Sequence, residues 1–301
     1  MFTKKSLIFI LFLAALLSFV LCGKNPADSK EGVYHGMVKL LPGTDYSNMV
    51  VSLYEMPAMD SVIIAARSKW PQLAFAITER DLFDHRELTP IKQTIANSSG
   101  AWKIEAPKAT YCLVAAKEGY GWNYLFDVSP GMSVSQTLLA EITLNANIQD
   151  AISLQRDQHY IVDRDLTILA GGSLTMDGGA WLRLNSGVDI TCEGSLFVAG
   201  VPGNLARITS NDSRLSNSDW NAIKLTNCDN ISIIGAKIGY GSNSVSIKNC
   251  RSTLIKNCIF HDAQYAGILL NQANECEISQ NLFIENTEGV LCMASQNVIV
   301  K

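Results

Sequence analysis

The alternation of apolar and polar residues divides the chain into two parts that meet near residue 140. Between 32 and 140, short runs such as GMVKLL, VVSLYEM and TYCLVAAKEGY alternate or stay apolar between turn residues, and no stretch is strongly helical. Alternation with a period of two is typical of strands with one buried face. Residues 32–140 therefore predict a small β-sandwich.

From residue 141 onwards, short strand-like frames repeat at a regular interval. The frames AIKLTNC, SVSIKNC, GILLNQA and GVLCMAS begin at residues 222, 244, 267 and 289, which are 22, 23 and 22 residues apart. The second and fourth residues of each frame point inward if the frame is a strand, and Asn227, Asn249 and Asn271 then occupy corners, because asparagine tolerates a left-handed backbone. Such a period is that of one coil in a parallel β-helix, so residues 141–301 predict about six coils.

The residues upstream of these frames carry a second pattern. Gly172, Leu174 and Gly178 form a G-x-L-x-x-x-G step, and Trp220 precedes the next strand. In this order they resemble the right-handed parallel β-helix repeat family of bacterial surface proteins. The resemblance implies the fold of residues 141–301. It implies no activity, because the same fold hosts lyases, hydrolases, epimerases and inert adhesins.

A resemblance also covers part of the first half of the chain, in the stretch TIANSSGAWKIEAPKATYCLVAAKEGY. Its markers are a turn at Gly100, alternation at Trp102 and Ile104, and then Tyr111-x-Leu113 and Gly119-Tyr120. This order is similar to the carboxypeptidase regulatory-like, or transthyretin-type, β-sandwich, which accompanies many exported proteins as an accessory or binding module. No peptidase is implied, because the sequence contains no zinc-binding pair such as His-x-x-Glu.

The chain begins with a predicted signal peptide, residues 1–22. Lys4 and Lys5 precede the apolar run 7–20, which is interrupted by Ser18 and is too short to span a bilayer comfortably. The run ends at Leu21-Cys22-Gly23, and Cys22 resembles the lipid-attachment site of bacterial lipoproteins, although Phe19 and Leu21 depart from that motif. The alternative is an ordinary signal-peptidase cut after Cys22. In both cases the polar residues 23–31 suit a flexible tether, and the protein is expected outside the cytoplasm, in the cell envelope, at the cell surface or secreted.

Composition and charge narrow the classes of function. The chain has 301 residues, 48% of them apolar, which is enough for a sizeable core. Its net charge is −4, with Lys and Arg scattered singly, so no basic face is available for phosphate. Nucleic acid is therefore not expected as a partner.

The eight cysteines are interpreted mainly as core residues. Cys228 and Cys250 are 22 residues apart at the same point of the repeat, where free thiols would stack on neighbouring coils. A disulfide between them is the alternative, because adjacent strands lie about 4.8 Å apart, near the lower end of the Cα separation in disulfides.

Three aromatic residues form a candidate ligand-binding row. Tyr120, Trp122 and Tyr124 alternate in the stretch EGYGWNYLF and would place three rings on one face of a strand. Such a row could stack on sugar rings. The alternative is that this face packs into the core of the sandwich, as large aromatic side chains readily do.

The stretch NCIFHDAQYAGILLNQANECEISQNLFIENTEGVL contains the candidate chemistry of the β-helix. Aligning Ile238, Ile259 and Leu282 predicts one column with Tyr240, His261 and Ile284 and a neighbouring column with Gly241, Asp262 and Glu285. Asp262 and Glu285 would then lie within roughly 5 Å of each other, where two carboxylates could bind a hard cation such as calcium or share a proton. Together with His261 they are the catalytic candidates. The alternative is that these corner carboxylates are only solvated.

These observations favour an exported binding or scaffold protein of the cell envelope, with a glycan or a protein as its partner. The rival prediction is an enzyme acting on polysaccharide through the corner carboxylates. Against that prediction, the only arginine in the region is Arg251, so a cation to hold an acidic sugar is missing. The final stretch NVIVK starts a further strand, which predicts that this open edge pairs with another chain or continues in a longer β-helix.

Overall fold

A computed structural model describes residues 30–71, 76–229 and 231–301. The predicted signal peptide, Cys22 and most of the tether lie outside these residues. The described chain is mostly β, as predicted, with a two-sheet N-terminal part followed by a solenoid of about six turns. No helix among the described residues is long and apolar enough to cross a membrane.

The N-terminal part contains two sheets. The three-stranded sheet has the order β4-β1-β7 and the four-stranded sheet the order β3-β2-β5-β6. Strand β1 pairs antiparallel with β4 and parallel with β7. Tyr34, Val51 and Leu113, each fully buried, contribute to the apolar core of this part. The strands are β1 Glu31–Leu41, β2 Val50–Tyr54, β3 Lys92–Ile95, β4 Ala101–Pro107, β5 Tyr111–Lys117, β6 Gly121–Val128 and β7 Ser133–Leu139.

Residues 55–91, which join β2 to β3, contain helices that the strand pattern did not predict; we call this segment the insertion. Its elements are α1 Ser61–Lys69, α2 Glu79–Leu82 and a 3-10 turn at His85–Glu87. No residue of α1 is buried, so no apolar periodicity marks it. Capping interactions define where the helices begin. At the start of α1, Asp60 accepts a hydrogen bond from the Val62 backbone N–H at 2.6 Å, and at the start of α2, Thr78 and Asp81 form a capping box.

The solenoid is built from three parallel sheets. Their strand orders are β8-β10-β13-β16-β19-β22-β25, β9-β12-β15-β18-β21-β24-β27 and β11-β14-β17-β20-β23-β26. We call the first of these the docking sheet. The strands are β8 Ile142–Thr143, β9 Ala151–Leu154, β10 His159–Val162, β11 Leu166–Ile168, β12 Ser173–Asp177, β13 Trp181–Leu184, β14 Ile190–Cys192, β15 Ser195–Ala199, β16 Ala206–Ser210, β17 Trp220–Thr226, β18 Ser232–Ile234, β19 Ala236–Gly239, β20 Gly241–Lys248, β21 Arg251–Lys256, β22 Ile259–His261, β23 Ala266–Asn271, β24 Asn274–Ser279, β25 Leu282–Ile284, β26 Glu288–Met293 and β27 Ile299–Val300.

The register of the repeated frames agrees with the predicted inward positions. Val245 pairs with Ile268, and Ile247 with Leu270, on neighbouring coils, and all four side chains are fully buried. The interior of the solenoid is a continuous apolar column from Ile148 to Ile278. Period-two alternation therefore placed these side chains on the correct face.

Two of the three predicted asparagine corners are left-handed. Asn227 and Asn249 both have φ of 53°, and the Asn249 amide donates to the Asn227 side-chain oxygen at 3.2 Å. Asn271 is instead the last residue of β23, and Gln272, with φ of 54°, forms that corner. The coil before it is one residue longer than its neighbours, so the corner shifts by one position.

Cys228 and Cys250 stack inside the solenoid with free thiols. Their Sγ atoms lie 3.2 Å apart, and the two side chains are 3% and 0% exposed. They are thus core residues on neighbouring coils, and their burial keeps both thiols away from solvent.

Candidate functional site

Two buried cationic side chains lie on the outward face of the docking sheet. Trp181, Arg207, Lys237 and Ile259 lie in one column on four successive coils. Arg207 is 8% exposed and Lys237 is 7% exposed, which is unusual for cations on the outside of a solenoid. The insertion buries this column, so the docking sheet is the interface between the two halves of the molecule.

Hydrogen bonds to backbone carbonyls hold the insertion on this column. Arg207 donates from Nη1 to the Phe83 oxygen and from Nη2 to the Arg80 oxygen, both at 2.8 Å. Lys237 donates from Nζ to the Leu82 oxygen at 2.8 Å. These acceptors lie at the C-terminal end of α2, where carbonyl groups have no partner within the helix. The cations therefore satisfy polar groups that would otherwise be buried without partners.

A buried ion pair continues the interface beside this helix. Arg86 contacts Asp84 at 2.7 Å and also donates to the Ser210 carbonyl at 2.7 Å. Burial by itself would raise the pKa of Asp84, but the Arg86 guanidinium holds it well below its usual range, so the pair is charged. Burial lowers the pKa of neighbouring His85 to about 4, against the attraction of Asp84, so this imidazole is neutral at pH 7. His85 Nδ1 lies 3.0 Å from the Tyr124 hydroxyl.

The three rings of the predicted aromatic row do not share one face. Trp122 and Tyr124 face the docking sheet, where their ring centroids lie 5.1 Å and 5.6 Å from that of Trp181. Tyr120 packs against the sandwich core instead, and its hydroxyl donates to the Pro42 carbonyl oxygen. The alternation fails because Tyr120 precedes β6 in a turn, and Gly121 has φ of 69°.

A cavity of about 420 Å³ lies where the β5–β6 hairpin meets the solenoid; we call it the junction cavity. Its lining includes Trp122, Arg183, Glu141, Lys117 and Glu118. The Arg183 guanidinium lies 4.6 Å from the centroid of the Trp122 ring and donates to Glu141. The cavity thus has charges of both signs beside a largely buried indole ring, a combination suited to a polar ligand.

A second cavity, of about 250 Å³, lies at the corner that follows β22; we call it the corner pocket. Asp262 and Glu285 both line it, at left-handed corners with φ of 51° and 53°. The Asp262 backbone N–H donates to the Ile284 oxygen at 3.1 Å, so the two carboxylate-bearing corners are on adjacent coils, as predicted.

The predicted column above them is shifted by one residue. Gly239, not Tyr240, pairs with His261, and Tyr240 forms the corner above Asp262 with φ of 68°. The shift has a steric reason, because a Cβ on residue 239 would lie 2.3 Å from His261 Nε2. The imidazole therefore lies over a glycine, and the adjacent Tyr240 ring contacts it edge-on at a centroid distance of 4.9 Å.

The corner pocket contains charged residues that the sequence did not associate with it. Glu87 comes from the insertion and Lys237 from the coil before His261. His261 Nδ1 lies 2.8 Å from Asp262 Oδ2. Burial and then the Lys237 charge lower the pKa of His261, while Asp262 raises it. Burial and neighbouring Arg207 lower the pKa of Lys237 to about 8, against the attraction of Asp84 and Glu87.

No local pattern could have identified Glu87 or Lys237 as part of this pocket. Each is a single charged residue within a short element, and the two are 150 positions apart in sequence. Their proximity to Asp262 results from the docking of the insertion, which depends on contacts between residues far apart in sequence.

A comparison with known protein families finds a match for the second half of the chain. The family model described as "Right handed beta helix region" matches residues 134–301. No curated protein and no solved structure matches the chain.

Proposed function

The chain belongs to the right-handed β-helix family, and since that fold specifies no activity, we propose from its cavities that it is an exported glycan-binding protein of the cell envelope. The observation that carries this proposal is the junction cavity, whose lining includes Trp122, Arg183 and charged groups of both signs. The charged groups can bind the hydroxyl or carboxylate oxygens of a sugar, while Trp122, which is 9% exposed, contributes an apolar part of the lining. The substrate class best suited to these groups is an acidic sugar.

The first part of the chain supports this proposal through its architecture. Sheets of three and four strands packed around one core agree with a carboxypeptidase regulatory-like sandwich, which we propose as its identity. In that case the sandwich is an accessory module whose β5–β6 hairpin completes the glycan site. The proposed binding residues are accordingly Trp122, which the sequence singled out, and Arg183, Lys117 and Glu118, which it did not.

A glycan array probed with the full-length protein tests this function. Glu118 is exposed and lines the junction cavity, so Glu118→Trp should block the cavity without disturbing the core of the sandwich. The matched control is Glu105→Trp, at an exposed position on the other sheet. Binding of acidic glycans that is lost in the Glu118 variant and retained in the Glu105 variant is the expected result. An array with no signal, or equal binding by both variants, would reject the junction cavity as a glycan site.

Export and lipid anchoring at Cys22 are part of the same proposal. A labelled fatty acid should be incorporated into the wild type, and Cys22→Ala should abolish incorporation and release the protein into the soluble fraction. An unlabelled, soluble wild type would contradict the anchor but would leave glycan binding unaffected.

The second candidate function is an enzyme acting on acidic polysaccharide in the corner pocket. Lys237 favours it, because it supplies the cation that was missing from the region around Asp262 and Glu285. With Asp262 orienting its imidazole, His261 could exchange a proton with a sugar. Incubation with acidic glycans, followed by ultraviolet absorbance for lyase products and by reducing-end assays for hydrolysis, tests this candidate. Activity that Asp262→Asn abolishes would establish it, and no product from any acidic glycan would reject it.

A further inference from the structure

Three side chains from two distant segments meet at the edge of the corner pocket. Glu87, His261 and Asp262 each offer one ligand atom, and these atoms all lie within 4.8 Å of one another. Glu87 belongs to the insertion, whereas His261 is the last residue of β22 on the solenoid and Asp262 follows it. We propose that these three side chains bind a divalent transition metal ion of the zinc type, which links the insertion to the β-helix.

The donor set indicates the class of metal. Two carboxylates and one imidazole are ligands that Zn²⁺ and similar ions accept, whereas calcium takes six to eight oxygen ligands and does not favour an imidazole. The proposal therefore replaces calcium at Asp262 and Glu285 with a transition metal at Glu87, His261 and Asp262. Three protein ligands leave a coordination position for water or a ligand, and the adjoining cavity of about 250 Å³ has room for it.

The surroundings of His261 position its ring independently of any metal. The ring is 6% exposed, lies over Gly239, and is in edge-on contact with Tyr240. The Tyr240 hydroxyl in turn donates to Glu87. Tyr240 thus contacts one proposed ligand with its ring and a second with its hydroxyl, as outer-shell partners of metal ligands commonly do.

The distances require only small adjustments on binding. His261 Nδ1 and Asp262 Oδ2 are 2.8 Å apart, and ligand atoms on a tetrahedral zinc are about 3.3 Å apart, given bonds of about 2.0 Å. These two atoms must separate slightly, and the Glu87 carboxylate must approach. Glu87 is exposed and accepts the Tyr240 hydrogen bond at Oε1, so its Oε2 atom remains available for the ion.

The local charges are compatible with a cation. Asp84 is already paired with Arg86, and Lys237 donates to the Leu82 carbonyl. Glu87 and Asp262 therefore supply two negative charges to the proposed site, and Glu285 adds a third at the same pocket. The three carboxylates and the Lys237 ammonium together would balance the charge of a divalent ion.

Metal titration of the full-length protein tests the assignment. After treatment with a chelator, the protein is titrated with Zn²⁺ by calorimetry and with Co²⁺ by absorption spectroscopy, which reports coordination number. We expect one site, a Co²⁺ spectrum of four or five ligands, and a melting temperature raised by Zn²⁺ through mass action. Glu87→Gln should weaken Zn²⁺ binding by at least about tenfold, the effect that loss of even an outer-shell partner has.

Two further variants separate this site from other acidic positions. Glu79→Gln removes an exposed carboxylate of the same insertion and should leave Zn²⁺ affinity unchanged. Glu285→Gln distinguishes a site that uses Glu87 and Asp262 from one that uses Asp262 and Glu285, because Glu285 lines the pocket but is not a proposed ligand. The proposal is overturned if the protein binds no Zn²⁺, if Glu87→Gln binds it as tightly as the wild type, or if Glu285→Gln abolishes binding while Glu87→Gln does not. Each outcome is independent of glycan binding in the junction cavity.

Discussion

Arg207 of strand β16 donates a hydrogen bond to the Phe83 carbonyl oxygen at 2.8 Å, although 124 residues separate the two in sequence. A second bond from the same guanidinium reaches the Arg80 oxygen. Phe83 is fully buried, and its ring contacts Tyr124 edge-on at 4.9 Å. Arg207 thereby connects the solenoid, the insertion and the aromatic face of the sandwich.

Loss of this connection should destabilise the protein. In Arg207→Met, the buried Phe83 oxygen and the partly buried Arg80 oxygen lose a charged donor, which should lower the free energy of unfolding by about 3 kcal/mol. Urea denaturation measures the loss, and hydrogen exchange should show faster opening of residues 79–87. Arg164→Met is the control, because Arg164 is exposed and pairs with adjacent Asp163 at the surface. Equal stability of the two variants would contradict the role assigned to Arg207.

Lys237 should make stability depend on pH in an alkaline window. Its pKa is about 8 in the folded protein and 10.5 in the reference state, so the unfolded chain binds more protons between these values. The free energy of unfolding should therefore rise with pH from 8 towards 10.5, by about 3 kcal/mol in total. Lys237→Met lacks this contribution.

The comparison of wild type with Lys237→Met cancels the titration of other groups. Urea denaturation in a chelator-containing buffer at several pH values between 7 and 10 should show the wild type gaining stability relative to the variant as the pH rises. A difference that is constant across this range would show that Lys237 titrates normally in the folded state.

The solenoid could be predicted from sequence because its information is local and repeated. The pairing of Val245 with Ile268 follows from two frames with the same alternation, and each further frame repeats the same test. Errors of one residue remained where a steric detail decided the register. His261 pairs with Gly239 and not with Tyr240, because any side chain at the position opposite His261 would overlap the imidazole. Gln272, not Asn271, forms the corner that follows the longest interval between repeated frames.

The candidate sites were less predictable because they depend on docking between distant segments. Asp262 and Glu285 could be placed on one corner from the repeat alone, but Glu87 and Lys237 join them only once the insertion covers the docking sheet. The insertion itself has short helices fixed by caps, with no buried face on α1, so apolar periodicity could not identify it.

Close packing between coils should make Gly200 intolerant of a side chain. A Cβ at this position would lie 1.9 Å from the Gly235 carbonyl oxygen and 2.8 Å from the Ala206 nitrogen, both backbone atoms of neighbouring segments. Gly200→Ala should therefore cost about 3 kcal/mol or more, because backbone must move to accommodate it. Gly289→Ala is the control, since its Cβ would meet only the Phe283 side chain at 3.3 Å. Thermal unfolding should show a much larger loss for Gly200→Ala, and similar losses would contradict this packing argument.

The last prediction concerns the stacked cysteines. A hydrogen bond donated to Cys192 and burial raise the pKa of Cys228 to about 12, and a hydrogen bond with Cys228 and burial raise the pKa of Cys250 as well. The thiolate is the reactive form, so both thiols should be nearly inert at pH 7. Cys292, which is exposed, is the internal control.

Alkylation followed by peptide mass spectrometry distinguishes free thiols from the disulfide alternative. In the native, non-reduced protein, iodoacetamide should label Cys292 and leave Cys228 and Cys250 unlabelled. After denaturation without a reductant, both buried cysteines should become labelled, because free thiols are then exposed. A cross-linked peptide pair that is labelled only after reduction would show that the two coils are joined covalently, and the 3.2 Å separation of the Sγ atoms would then mark a bond that forms in the oxidising environment outside the cytoplasm.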